Sequence, residues 1–159
     1  MLKYILPLLL ILAGCSVDNP SQHLSTEPQT DAETGLVLMP SDEMWISFPE
    51  MIALYKEVES CMGMTAPAPT VYFKDFGEYF NGGVGSVWGF HTQGTIYINT
   101  ELDNPEFEAY GFYRDSYTDT ETLRHEYIHN ILYHINGDGD SDHSSEMYHL
   151  CGLGVKVEN

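Results

Sequence analysis

The sequence predicts a small α+β domain, and three observations carry that expectation. Two stretches show helical apolar spacing, at 49–61 and from about 118 to 136. Between them lie three short alternating runs, at 71–76, 86–91 and 94–99, each bounded by turn residues. The order of helix, strands and helix fits an N-terminal helix and a small, mostly antiparallel sheet packed beside a second helix.

The first helix reads PEMIALYKEVESC. Met51, Ile52, Leu54, Tyr55 and Val58 form its apolar stripe, Pro49 suits the first turn and Gly63 can end it. VYFKDF at 71–76 alternates like a strand. NGGVGS at 81–86 lacks the Gly-Lys-Ser/Thr ending of a phosphate loop and reads as a turn between strands. The runs at 86–91 and 94–99 make two strands about a turn at Thr92 and Gln93. Residues 100–117, with Pro105 among acids and aromatics, read as irregular. The last helix has a capping box, Thr118 with Glu121, and an apolar face of Leu123, Tyr127, Ile128, Ile131, Leu132 and Ile135, and Gly137 stops it.

Charge narrows the partners. The 159 residues hold 24 Asp and Glu against 6 Lys and Arg, a net charge of −18. Such a surface repels phosphate backbones, so nucleic acid is excluded as a partner of its bulk surface. With 11 Tyr, 7 Phe and 2 Trp the chain has ample material for one core.

The N-terminus is an address. Lys3 is followed by an apolar run at 5–12, too short to span a bilayer and fitting a secretory signal peptide. Its end, Leu12-Ala13-Gly14-Cys15, resembles the lipobox of bacterial lipoproteins. That resemblance implies removal of 1–14 and lipidation of Cys15. Ser16 follows in place of an Asp, which by the same resemblance implies the outer membrane of a Gram-negative cell, facing the periplasm. The next residues, through 34, are polar with Pro20 and Pro28, so 15–34 reads as a lipidated cysteine and flexible tether with a reach of about 25 Å. The domain is then 35–159. With Cys15 acylated, Cys61 and Cys151 remain as a pair, read as a disulfide in an oxidising compartment. It would close a loop worth about 4 kcal/mol in the chain-entropy account. The alternative is two separately buried thiols. Neither has a Cys-x-x-Cys neighbour, which argues against a cysteine zinc site.

The chemistry sits on the last helix. His125-Glu126-Tyr127-Ile128-His129 places two histidines one turn apart on one face, able to bind one Zn2+, with Glu126 positioned to reach a water on the metal as general base. A catalytic zinc site wants a third protein ligand. His134 is nine residues from His125 and falls on the opposite side of the helix. The extended HExxHxxGxxH pattern fails at Leu132 and Ile135. His143, after the turn-prone residues 136–142, is the preferred third ligand, with Glu146 and His149 as the alternatives. Asp138, Asp140 and Asp142 are candidates to orient the histidines, and Tyr148 or His149 to donate to an oxyanion. The run from Asp138 also opens like a calcium loop, but His143 and His149 stand where Gly and Glu are needed. Strand 95–99 is a candidate edge for pairing with an extended peptide. No role falls to His23 or His91.

HEYIHNILYHINGDGDSDHSSEM resembles the active-site stretch of SprT-like zincins, with His125, Glu126, His129 and His143 at the matching positions and Glu146 in place of the trailing acid. The resemblance implies a minimal zincin-like domain, a zinc-binding active-site helix and peptidase chemistry. The chain lacks a zinc ribbon and a basic surface and carries an export signal, so small exported zincin-like lipoproteins are the closer comparison. The function expected is a zinc-dependent metallopeptidase, anchored by lipid and acting on peptide or protein substrate. The alternative is a zinc-stabilised, non-catalytic binding lipoprotein. Oligomeric state is not legible in the sequence.

Overall fold

A computed structural model describes residues 23–76, 88–100 and 119–152. Their order is β1 (His23–Ser25), β2 (Gln29–Thr30), β3 (Val37–Leu38), β4 (Ser41–Met44), α1 (Phe48–Met62), β5 (Thr70–Lys74), β6 (Gly89–Thr92), β7 (Thr95–Asn99), α2 (Asp119–Asn136) and α3 (Met147–Cys151). The main sheet has five strands in the order β2-β3-β5-β7-β6, and β1 pairs separately with β4. The α+β class holds.

The expected mostly antiparallel sheet is instead mixed. β3 with β5 and β5 with β7 are parallel, while β2 with β3 and β6 with β7 are antiparallel. A parallel pair needs a long crossover. Helix α1 lies within the crossover from β3 to β5, and the chain at 75–94 provides the one from β5 to β7. Strand 95–99 is therefore interior, between β5 and β6, and among the described residues β6 is the last strand on that side. The flexible tether expected through residue 34 also ends sooner. His23 pairs with Met44, and Gln29 and Thr30 pair with Leu38 and Val37. Asp31 turns the chain between them by accepting from the backbone N–H and hydroxyl of Thr34 at 2.7 and 2.6 Å.

Helix α1 follows its sequence signals. Glu50 accepts from the Ser47 N–H at 2.8 Å in a capping box that the sequence reading passed over. Gly63 ends the helix in the left-handed region at φ 62°. Met51, Leu54, Tyr55, Val58 and Met62 are buried. Register sets the sheet's two faces. Val71 stands beside Ile96 and Phe73 beside Ile98, all four buried, while Tyr72 stacks on Tyr97 and Tyr97 on Phe90 on the other side. Gly89 pairs with Ile98 and His91 with Ile96, so these two edge residues share the core face.

Helix α2 packs on that face. Leu123, Tyr127, Ile128, Ile131 and Leu132 are buried, whereas Ile135, expected on the same stripe, is 46% exposed. Polar anchors fix its rotation: Tyr127 Oη–H donates to the Met51 carbonyl at 3.2 Å and Asn130 Nδ2 to the Pro67 carbonyl at 2.9 Å. Cys61 and Cys151 stand at disulfide distance, their Cα atoms 5.7 Å apart, joining the end of α1 to the end of α3. The expected turn at 81–86, the irregular stretch 100–117, the Thr118 cap, the signal peptide and Cys15 lie outside the described residues. Open space surrounds the position a Gly63 Cβ would take. Gly63→Ala should therefore lower stability by about 1 kcal/mol through backbone strain alone, measured as a shifted denaturation midpoint.

Candidate metal centre

The histidine pattern on α2 becomes a site because the following chain reverses tightly. Gly137, Asp140 and His143 all adopt positive φ, at 74°, 56° and 56°. Such values are uncommon for side-chain-bearing residues, and Asp and His are among those that tolerate them. Hydrogen bonds hold the reversal. The His143 N–H donates to the Asp140 carbonyl at 2.9 Å, Asp140 accepts from Ser144 Oγ–H and the Ser145 N–H, and Asp138 accepts from the Asp140 N–H. Asp138, Asp140 and Asp142, expected to orient histidines, accept instead from backbone N–H groups and the Ser144 hydroxyl of the turn itself.

The reversal returns His143 to the first turns of α2. His125 Nε2 lies 3.0 Å from His143 Nε2 and 3.1 Å from His129 Nε2, and one nitrogen from each ring falls within 4.8 Å of the others. Two nitrogens bound to one tetrahedral zinc ion at the usual length stand about 3.3 Å apart, so the donor set fits a small divalent ion. Among the described residues these three are the group able to hold a metal; Glu146 and His149, the alternatives for the third ligand, do not join it.

A backbone carbonyl sets the tautomer of His129. Its Nδ1 lies 2.5 Å from the Gly139 oxygen and 2.7 Å from Tyr148 Oη, while Tyr148 Oη–H donates to the same carbonyl at 3.2 Å. An unprotonated Nδ1 would face an oxygen lone pair at that range, so Nδ1 carries the proton and Nε2 is left bare for a metal. Tyr148, expected as an oxyanion donor, holds its hydroxyl on the Nδ1 side of His129. Burial and the neighbouring imidazoles hold His125 down at about pH 4, neutral at physiological pH as a ligand must be.

Glu126 lies beside them with 4% of its surface exposed, and its Oε2 is buried without a hydrogen-bond partner. Burial pushes its carboxyl up to about 8. A Cβ on Gly89 would stand 3.1 Å from Glu126 Oε1 and 2.9 Å from Thr122 Cγ2, so the absence of a side chain lets β6 close over the helix. Helix, reversal and edge strand enclose a cavity of about 700 Å³ with Glu126, His125, His129 and His143 in its lining.

His91 also lines it, opposite Tyr133, a position that no motif marks. It accepts from the Gly94 N–H at 3.0 Å through Nε2. Burial lowers it to about 4, so it is a neutral ring at the cavity wall. The signal that would have found it is strand alternation: His91 lies two residues after Gly89, on the same face.

These shifts have opposite signs. In the metal-free protein Glu126 binds its proton more tightly folded than unfolded, so its contribution to stability falls as pH rises from about 4.5 to 8. His91 and His125 bind theirs less tightly folded, so theirs is lost as pH falls from about 6.5 to 4. Thermal melts across pH should show that Glu126→Gln removes the decline toward pH 8 and leaves the acid-side loss in place.

Comparison with protein families, with curated proteins and with solved structures finds no match to this chain.

Proposed function

We propose that the chain is a zinc-dependent peptidase, exported and held by lipid on Cys15 at the outer membrane of a Gram-negative cell, facing the periplasm. The observation that carries the reading is Glu126: a buried carboxyl with an orphaned oxygen, on the same helix turn as two of three converging imidazoles and in the wall of an open cavity. A metal site that only stabilises the fold has no use for such a group, and a buried polar atom without a partner is rare enough to need a cause.

His125, His129 and His143 would hold the zinc through Nε2. When bound, zinc supplies Lewis acidity and makes water a nucleophile near neutral pH. With that charge nearby the carboxyl of Glu126 ionises despite its burial. It then accepts a proton from the attacking water and hands it to the leaving amine. The cavity volume lies within the range of small-ligand and substrate sites, so the chain's small size does not preclude a cleft. β6 borders that cavity through Gly89, Phe90, His91 and Thr92. His91 from the same strand supplies a neutral ring beside it. The chain's net charge of −18 agrees with a protein or peptide partner and disfavours nucleic acid.

Glu126→Gln should retain one equivalent of zinc and lose about 10²–10⁴-fold in peptide hydrolysis, read on a fluorogenic peptide library beside metal analysis. Undiminished hydrolysis would remove Glu126 as the base, and hydrolysis absent from the unsubstituted, zinc-loaded protein would favour a non-catalytic binding role. His143→Ala should weaken zinc retention under dialysis against a chelator, whereas His149→Ala should not. Gly89→Ala should lower both activity and stability, by about 1–3 kcal/mol for the latter, because the added methyl meets Thr122 and the Tyr97 carbonyl.

A further inference from the structure

We propose that Tyr148 is a positioning residue of the metal centre and that the Cys61–Cys151 bond holds it in place. The inference rests on the metal-site reading above. It begins with the weakness of α3. Five residues are far below the length at which a helix sustains itself in water. Leu150 on this helix is 68% exposed. Its inward side chains are Tyr148 and Cys151, both buried, with Met147 packed partly against the core. Cys151 is bonded to Cys61 in the last turn of α1, whose own apolar face is locked in the core. The bond therefore fixes α3 three residues from Tyr148, about one turn away.

Tyr148 is placed where such a fixture matters. Its hydroxyl oxygen lies 2.7 Å from His129 Nδ1, whose proton it shares as acceptor with the Gly139 carbonyl, and its own O–H donates to that carbonyl at 3.2 Å. Its ring centre is 5.0 Å from the ring centres of His125, His129 and His143 alike. One side chain thus orients one ligand through a hydrogen bond and packs against all three. Groups that hold a ligand histidine by its second nitrogen change metal affinity by about 10–100-fold when removed. The covalent link, through Tyr148, makes the metal affinity of the histidines depend on a bond between α1 and α3.

The test measures Zn2+ affinity of the full chain by chelator competition, with the visible absorption of the Co2+-substituted protein as a second readout. Tyr148→Phe keeps the ring and removes the hydroxyl. It should weaken zinc by about 10–100-fold and shift the Co2+ bands, with the melting temperature of the metal-free protein nearly unchanged. Cys61→Ala with Cys151→Ala should weaken zinc to a similar degree. Adding Tyr148→Phe to that pair should then cost little more, since both changes remove the same restraint. Unchanged affinity and an unchanged Co2+ spectrum in Tyr148→Phe, with the disulfide intact, overturn the proposal even if the double cysteine variant does not fold. Fully multiplicative losses overturn the link between bond and tyrosine. An unsubstituted chain that takes up no zinc overturns this proposal together with the metal-site reading, whereas a zinc-binding chain indifferent to these substitutions overturns this one alone.

Discussion

The hydrogen bond from His129 Nδ1 to the Gly139 carbonyl ties the middle of α2 to the loop that follows it, and the candidate site depends on that tie. It settles which nitrogen of His129 is bare. It also closes the reversal at 137–143 against α2, which brings His143 over His125. Gly139 has a second reason to be small: a Cβ there would stand 3.3 Å from His91 Nδ1. The loop is thus fitted between the helix and the edge strand, and a bulkier residue at 139 would press on both sides of the cavity.

Helix α2 meets two demands that normally conflict. Leu123, Tyr127, Ile128, Ile131 and Leu132 are buried in the core with α1 and the sheet, which supplies the packing that holds it. Its polar residues are then drawn partway into the same low-dielectric region. The consequence is visible in opposite directions on neighbouring residues, with Glu126 pushed up and His125 pushed down by burial. Both groups are held neutral in the absence of a metal, and each neutral form is costly for a different reason: a carboxyl with an orphaned oxygen, and three imidazoles crowded at ring-centre separations of 4.8 to 4.9 Å. A divalent ion among them would relieve both.

What was legible in the sequence is what rests on local period and spacing. The two long helices, the Gly63 stop, the hairpin strands, the three histidines and the cysteine pair all announce themselves within short windows or by count. What was not legible depends on pairing across distance. β2 and β3 are two residues long, too short for alternation to register, and their parallel and antiparallel neighbours are fixed by where α1 returns the chain. That same topology put β7 inside the sheet and brought His91 of β6 to the cavity. The aspartates of the loop misled for a physical reason. Asp in a tight turn bonds its own backbone before it can reach a neighbour, and Asp138, Asp140 and Asp142 all do so. A carbonyl, which leaves no mark in a sequence, took the place they were expected to fill.

The cysteine bond spans 90 positions, and every residue between its ends belongs to one covalent ring. A cut anywhere inside that ring divides the chain without parting it. Helix α2 would stay fastened to α1 by the bond and by the core they share. For a protein read as a peptidase in an exported compartment, the centre is built so that one nick, its own included, leaves both fragments joined.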